Sequence, residues 1–370
     1  MTRRKGKRLR CGFTTGTAAA AAAKAALMLI FSGRTPRKVR VQLLTGDTLE
    51  INVHDCRLED QHTAVCSVIK DAGDDPDVTH GAEIGARVVW DAGGRADEVL
   101  ITGGKGVGRV TKPGLETPPG RYAITAGPQK MIRGSLMEAM SDYGHHGRAS
   151  TEIFVPRGKA LARHTLNARL GIVGGISILG TTGVVRPLSH ESYVATIRAA
   201  LSVAKASGLR QVVLTTGRRS ERYAQQLWPR LPEEGFVQMG DYFAETMAMA
   251  AKSRFEAATL AVFFGKAVKM AQGIGHTHAR SARMTLATLA RWTRGMTGDA
   301  ALADRVAEAN TARHAFEMLD GDHPEVIAKV GEEVVKAAEG FCQHSVAVRA
   351  VIFGFDGTVK YDAGRTAGER

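Results

Sequence analysis

Cysteine, aromatic side chains and long apolar runs are all scarce in this 370-residue chain. The four cysteines, Cys11, Cys56, Cys66 and Cys342, have neither metal-ligand nor redox-motif spacing and read as thiols that an intracellular protein keeps reduced. Aromatics are only 6% of the residues and no nucleic-acid-reading motif accompanies them, which argues against a nucleic-acid partner. Residues 18–31 come nearest to an export signal, with Arg3-Arg4 upstream. Lys24 interrupts that run, however, and the small Ala18–Ala26 precede Leu27-Met28-Leu29-Ile30-Phe31, the reverse of a cleavable signal. Nothing else approaches a membrane span, so the expectation is a soluble, cytoplasmic protein with no membrane partner. No catalytic triad, nucleophilic cysteine or paired-carboxylate signature can be placed either.

What is present is length and positive charge. A chain of 370 residues buries a good core and favours two domains. Lys+Arg of 50 against Asp+Glu of 37 gives +13, which suits an anionic partner. Six of the positive charges crowd into a basic, flexible head over 1–10, and residues 356–370 form a polar tail.

Gly12-Phe13-Thr14-Thr15-Gly16-Thr17 precedes a helix over Ala18–Ile30. Its threonine cap leaves N–H groups that favour an anion, or it is a capped helix packed closely through its alanines. Val39–Leu44 and Thr48–Val53 alternate about a Thr45-Gly46-Asp47 turn, as a hairpin does. Thr63–Ile69 and the alternating Ile84, Ala86, Val88 and Trp90 are strands flanking the loop Lys70–Gly81, which holds Asp71, Asp74, Asp75, Asp77 and His80. That loop reads either as a solvated acidic turn or as displayed chemistry. It is no calcium loop, because neither Asp71 nor Asp75 as first ligand puts Gly sixth and Glu twelfth. Gly103–Gly114 imitates a dinucleotide fingerprint, but Pro113-Gly114 forbids the helix the fingerprint needs, and it lacks a Walker ending. Its N–H groups, with Lys105, Arg109 and Lys112, suit carboxylates or phosphates. A helix over Met131–Tyr143 and a strand over Thr151–Val155 complete an α+β domain over 11–165.

After residue 165 strands and helices alternate: Gln211–Leu214 and Ser220–Leu227, Phe236–Met239 and Tyr242–Lys252, then Thr259–Phe264 and a further helix. Short apolar strands in this order predict a Rossmann-like parallel sheet with helices on both faces over 166–355. Ligands bind beyond the carboxyl ends of such strands, which sets Thr215, Thr216, Gly217, Gly240, Asp241 and Gly265 along one rim. Asp241 suits a ribose diol or is a helix cap. Ala282–Gly295, Ala300–Leu319 and Pro324–Phe341 read as helices, and Val346–Phe353 as a last strand with no assignable sheet. His276-Thr277-His278 lacks a third ligand, so no metal site is assigned.

Seven blocks in order resemble the CbiD family of cobalt-precorrin-5B C(1)-methyltransferases. They are Gly12–Thr17 with its alanine run, Val68–Gly81, Gly106-Val107-Gly108 with Thr111–Leu115, Leu170–Gly183, Thr216–Glu221, Met239-Gly240-Asp241, and Gly273-Ile274 with His276–His278. The likeness spans residues 10–355. It departs at Ala18, where many members carry a cysteine, at Ala279, where serine is usual, and at Ser281–Met284. The resemblance implies methyl transfer from S-adenosylmethionine to C1 of an anionic tetrapyrrole in cobalamin biosynthesis, by an enzyme compatible with a homodimer. On that reading Thr216, Gly217, Gly240, Asp241 and Gly265 meet the donor. The tetrapyrrole lies between the domains against Thr14, Thr15, Thr17, Gly104, Gly106, Gly108, Thr111, Lys112, Thr181, Thr182, Gly183 and His278. Asp71, Asp75, Asp77 and His80 orient the ring or move a proton, or brace the loop they sit in. Two rivals come from other classes: a nicotinamide-dependent reductase, whose glycine fingerprint this chain lacks, and a basic nucleic-acid-binding protein, which would explain the charge but for which no reading motif is present.

Overall fold

A helix walled with alanine packs close to its neighbours on every side, and the N-terminal half is built round one. The computed structural model describes residues 9–187, 189–278 and 282–364, without the side chains of 282–285; the expected head (bar Leu9 and Arg10), the end of the tail, Ala279 and Ser281 lie outside them. The chain divides into two compact units, Met1–His190 and Glu191–Arg370. The first comprises β1 (Gly12–Phe13), α1 (Thr15–Ser32), β2 (Lys38–Gln42), β3 (Thr48–Asn52), β4 (Asp55–Asp60), β5 (Thr63–Ile69), β6 (Glu83–Asp91), β7 (Glu98–Gly103), β8 (Arg109–Val110), α2 (Ala126–Asp142), β9 (Arg148–Phe154), α3 (Gly158–Ala162), β10 (Ile172–Val173) and β11 (Val184–Val185).

Thr14 caps α1, its hydroxyl accepting the Thr17 N–H at 3.2 Å, and Gly33 ends it in the left-handed conformation that glycine adopts without strain. Ala18–Ala26 are buried against α2 and against β5 and β6. Of the described helices α1 alone is long and apolar enough to cross a membrane, and it is the core of this unit. Its sheet runs β4-β5-β6-β9-β7, antiparallel except for β7 beside β9. Ile84, Ala86, Val88 and Trp90 turn into the core with the period of two read from their spacing. β2 and β3 form the hairpin about Thr45-Gly46-Asp47.

Two expectations are corrected here. Cys56 and Cys66 are not separate thiols: they face each other across β4 and β5 and are bonded as a disulfide. Residues 166–187 belong to the first unit, because β10 pairs with β8 and β11 with β1.

The second unit contains α4 (His190–Ala206), β12 (Gln211–Thr215), α5 (Arg218–Leu227), β13 (Phe236–Gln238), α6 (Phe243–Lys252), β14 (Ala257–Phe263), α7 (Phe264–Met270), α8 (Ala282–Thr297), α9 (Ala300–Glu308), α10 (Ala312–Leu319), α11 (Pro324–Phe341), β15 (Ala347–Phe353) and β16 (Val359–Asp362). The sheet order is β13-β12-β14-β15-β16, with the first four strands parallel. One face buries Val212, Leu214 and Leu260 under α4, α6, α7 and α11, and the other sets Val213 and Ala261 against Ala224 of α5. The strand over 347–353 thus finds its sheet beside β14. Part of the expected polar tail is ordered as antiparallel β16, where Arg349 forks onto both Asp362 oxygens at 2.8 and 2.7 Å. Thr311 breaks the expected helix 300–319 in two by capping α10 through the His314 N–H.

Candidate active site

Four carboxylates in a short loop repel one another unless each finds a cation or N–H donors. In the loop Lys70–Gly81 two of them do so conspicuously. Arg10 forks onto both oxygens of Asp71, whose Oδ1 also accepts the Gly73 N–H at 2.8 Å. That guanidinium, more than anything else, holds the Asp71 carboxyl below its usual range. Lys70 is 1% exposed and donates its ammonium to Asp77 Oδ2 at 2.6 Å, while Thr79 gives Asp77 Oδ1 both its N–H and its hydroxyl at 2.7 Å. Burial works against the Asp77 charge, but Lys70 and Thr79 outweigh it, so its carboxyl too lies below the usual range. Asp71 and Asp77 are therefore ionised braces of the loop. His80 accepts the Ala72 N–H on Nδ1 at 3.1 Å, which puts the proton of the neutral ring on Nε2 and makes it a hydrogen-bond donor there. Its side chain is half exposed.

The loop also grips the entry to α1. Phe13 N–H donates to the Asp71 carbonyl at 2.8 Å, and the Arg10 and Asp74 backbones meet through the Asp74 N–H on the Arg10 carbonyl at 2.9 Å. A Cβ on Gly12 would lie 2.3 Å from the Ala72 backbone. On the other side of the same segment lies Leu179–Val184. Thr14 N–H bonds the Gly183 carbonyl at 3.0 Å, Gly16 N–H the Leu179 carbonyl at 3.1 Å, and the Thr17 hydroxyl the Gly183 carbonyl at 2.7 Å. The Thr15 hydroxyl takes the Leu179 N–H at 2.9 Å. Thr14, Thr15, Thr17 and Gly183 are thus brought together as the sequence blocks implied, but buried and bonded to one another. The N–H groups of Gly16 and Thr17 are spent on the protein itself, which corrects the anion reading of that helix start. Thr181 and Thr182 are exposed beside them.

The glycines of 104–108 tell a similar story. A Cβ on Gly106, at φ 76°, would lie 1.9 Å from the Val155 carbonyl, and one on Gly108 would lie 2.3 Å from Ile172. N–H groups of Gly104, Val107, Gly108, Val110 and Thr111 all donate to backbone carbonyls. These glycines let three loops close on each other, with the Thr111 hydroxyl on the Gly171 carbonyl at 2.8 Å and the aliphatic stem of Lys112 against Gly171. Lys105 and Arg109 stand exposed above them.

Two strand-end glycines of the second unit, Gly217 and Gly265, differ in kind. From β12 the chain passes to β13 on one side, and β14 returns on the other, so the strand order reverses between β12 and β14, at the rim where such sheets bind ligands. Thr216, Gly217, Gly240, Asp241 and Gly265 lie along that rim. Gly217 is extended and an added Cβ would meet nothing within 4 Å; at Gly265 the nearest atom is 3.7 Å away. Such glycines leave room for something other than protein. Lys266 forms an ion pair with Asp241 Oδ1, and Thr277 donates its hydroxyl to the same oxygen at 2.9 Å. Burial opposes the Asp241 charge, but Lys266 and Thr277 prevail and hold its carboxyl below the usual range. Lys269 donates to the Thr277 carbonyl at 3.0 Å and the His278 carbonyl at 3.2 Å. Burial, and then the charge of Lys266, push Lys269 down. His278 enters this network by its carbonyl; its side chain is exposed.

Sequence reasoning missed Lys266, Lys269 and Thr277, along with Glu221, a buried carboxylate on α5 that accepts Gln238 Nε2 at 2.6 Å. The available signal was position: Lys266 directly follows a strand-end glycine, and Glu221 closes the Thr216–Glu221 block.

A parallel sheet with open glycines and a clamped carboxylate past its strand ends is the kind of place where α/β enzymes bind small molecules. Residues 2–187 match the CbiD family model and residues 276–364 that of the CbiD C-terminal domain. Similar proteins include the cobalt-precorrin-5B C(1)-methyltransferases of Geobacillus kaustophilus, 44% identical over 85% of this chain and 83% of that one, and of Nitratidesulfovibrio vulgaris, 44% identical over 95% and 92%. A crystal structure of the cobalamin biosynthesis protein CbiD from Archaeoglobus fulgidus is 29% identical, covers 70% of this chain and 78% of that one, and superposes with a TM-score of 0.40. The chain belongs to the CbiD family.

Proposed function

We propose that the protein is a C-methyltransferase that moves a methyl group from S-adenosylmethionine to C1 of precorrin-5B, as its cobalt complex or metal-free, in corrin ring construction. The observation that carries this reading is 44% identity, across 95% of the chain, to a protein of that name. The motif blocks that make the resemblance fall in both units, on loops and on the element ends beside them.

The residues of the second unit fit an adenosyl donor. Its sheet, Rossmann-like in strand order and covering, leads to Gly217 and Gly265, with space above them, and to a carboxylate fixed by two donors. Thr216, Gly217, Gly240, Asp241 and Gly265 would hold that donor. A bound sulfonium supplies an activated methyl group and leaves as a neutral thioether. The protein's own task is to align donor and ring carbon, and such positioning is worth roughly 7–11 kcal/mol of the barrier.

In the first unit the exposed Lys105, Arg109, Thr111, Thr181 and Thr182, with Lys112, supply the charges and hydroxyls that ring carboxylates need. Thr14, Thr15, Thr17, Gly104, Gly106, Gly108 and Gly183 shape the loops that present them. In the acidic loop the Nε2–H of the exposed His80 is the group offered to the ring, with Asp75 beside it in the loop, whereas Asp71 and Asp77 keep the loop in shape. The deciding experiment incubates purified protein with the tetrapyrrole and methyl-labelled S-adenosylmethionine. Label at C1, read by NMR, supports the function; label that stays on the donor refutes it.

A further inference from the structure

We infer that the ring cluster of Tyr193, Tyr242 and His276, beside the clamped carboxylate of Asp241, is a seat for a purine nucleoside: the base lies against the rings and the ribose diol bonds Asp241 Oδ2. This rests on the donor reading above and says which part of the donor goes where.

The carboxylate comes first. Lys266 and Thr277 both converge on Asp241 Oδ1, which fixes the plane of the group and leaves Oδ2 without a donor among the described residues. A vicinal diol offers two O–H donors and no charge, and it suits an oxygen whose own charge is already balanced by Lys266. The amines of Lys266 and Lys269 are occupied by Asp241 and by the Thr277 and His278 carbonyls, so they are not waiting for a phosphate.

The rings come second. Tyr193 packs on Tyr242 with centroids 4.8 Å apart and planes 31° apart, and Tyr242 meets His276 edge-on at 5.0 Å. Tyr242 is half-buried beside the sheet's core, but Tyr193 is 39% exposed and His276 is exposed as well. Core packing explains the middle ring and leaves the outer two unexplained. A Cβ on Gly240 would lie 2.5 Å from the Tyr193 hydroxyl, so the turn carrying Asp241 brings that ring close to the carboxylate. Burial, and after it the Asp241 charge, raises the hydroxyl pKa values of both tyrosines. Lys269 pins the two carbonyls that follow His276 and so fixes the ring's backbone.

The test is titration calorimetry on the full chain with S-adenosylhomocysteine, adenosine, 2′-deoxyadenosine and methionine, with melting curves alongside. Tyr193→Ala is expected to weaken S-adenosylhomocysteine about tenfold, the loss of one base–aromatic contact, and Tyr193→Phe to restore it. Asp241→Asn is expected to erase the preference of adenosine over its 2′-deoxy form while leaving methionine unaffected. If Tyr193→Ala melts early, His276→Ala, on an exposed ring, takes its place. Folded variants that bind all four compounds as the parent chain does overturn the nucleoside seat and leave the donor reading standing. A parent chain that binds neither S-adenosylhomocysteine nor adenosine overturns both.

Discussion

Removing the Asp77 carboxylate separates bracing from catalysis in the acidic loop. The Lys70 side chain is 1% exposed and its ammonium rests on Asp77 Oδ2 at 2.6 Å. Asp77→Ala strands that buried cation, at a cost of about 3–5 kcal/mol. At roughly 2–4 °C per kcal/mol for a unit of this size, the first unit should melt about 10 °C lower. Lys70→Met combined with Asp77→Ala removes both charges and should recover most of the loss, because a buried pair replaced by apolar groups is often neutral. Urea unfolding followed by the fluorescence of buried Trp90 reads the difference. The reasoning fails if Asp77→Ala is as stable as the parent chain, or if the double variant gains nothing over the single one. Turnover measured below the melting range completes the separation: a brace leaves the refolded double variant active, and a proton-transfer role abolishes its activity. The pH sign follows from the depressed carboxyl. Its stabilisation is fully present above about pH 4, the unfolded value, and is lost only as pH falls through the lower folded one.

Other outcomes follow from contacts already described. Gly106→Ala, at φ 76° with its Cβ 1.9 Å from a carbonyl, should destabilise the first unit by about 3 kcal/mol or more, whereas Gly217→Ala should change stability by under about 1 kcal/mol and weaken S-adenosylhomocysteine instead; chemical denaturation and calorimetry distinguish the two. Thr14→Ala removes the cap on α1 and should cost about 1 kcal/mol in the same unfolding assay. Because Asp241 is held ionised below the usual carboxylate range, its contribution to nucleoside affinity should stay constant from neutral pH down to about pH 4. A midpoint near pH 6 in a calorimetric pH series, traced to Asp241 by its loss in Asp241→Asn, would contradict that.

Local chemistry made much of the fold legible. The Thr45-Gly46-Asp47 turn, the Thr14 cap and the alternation through Trp90 each depend on neighbours in sequence, and each is present. What could not be read depends on partners far along the chain. The strand over 347–353 is as apolar as any parallel strand, but only β14 says where it belongs. The Cys56–Cys66 bond follows from the register of β4 on β5, which spacing alone does not fix. Lys70 looked like one more charge in a polar loop, since nothing local reveals that Asp77 turns back to meet it. The glycine motifs were found but not sorted: Gly106 and Gly217 look alike in sequence, and only the atoms around them separate close packing from open space.

The pairing of β1 with β11 has a consequence for how the polypeptide is made. A ribosome releases α1 before the other helices of that unit and before every strand but β1, yet the residues that secure its leading end, Leu179–Val184, emerge last of that unit. Until then the leading end of this apolar, alanine-rich helix, though its alanines already pack on α2, β5 and β6, lacks the bonds that secure it. Synthesis paused before residue 185 should yield a species that aggregates or binds a chaperone, and synthesis carried just past it should yield one that does neither.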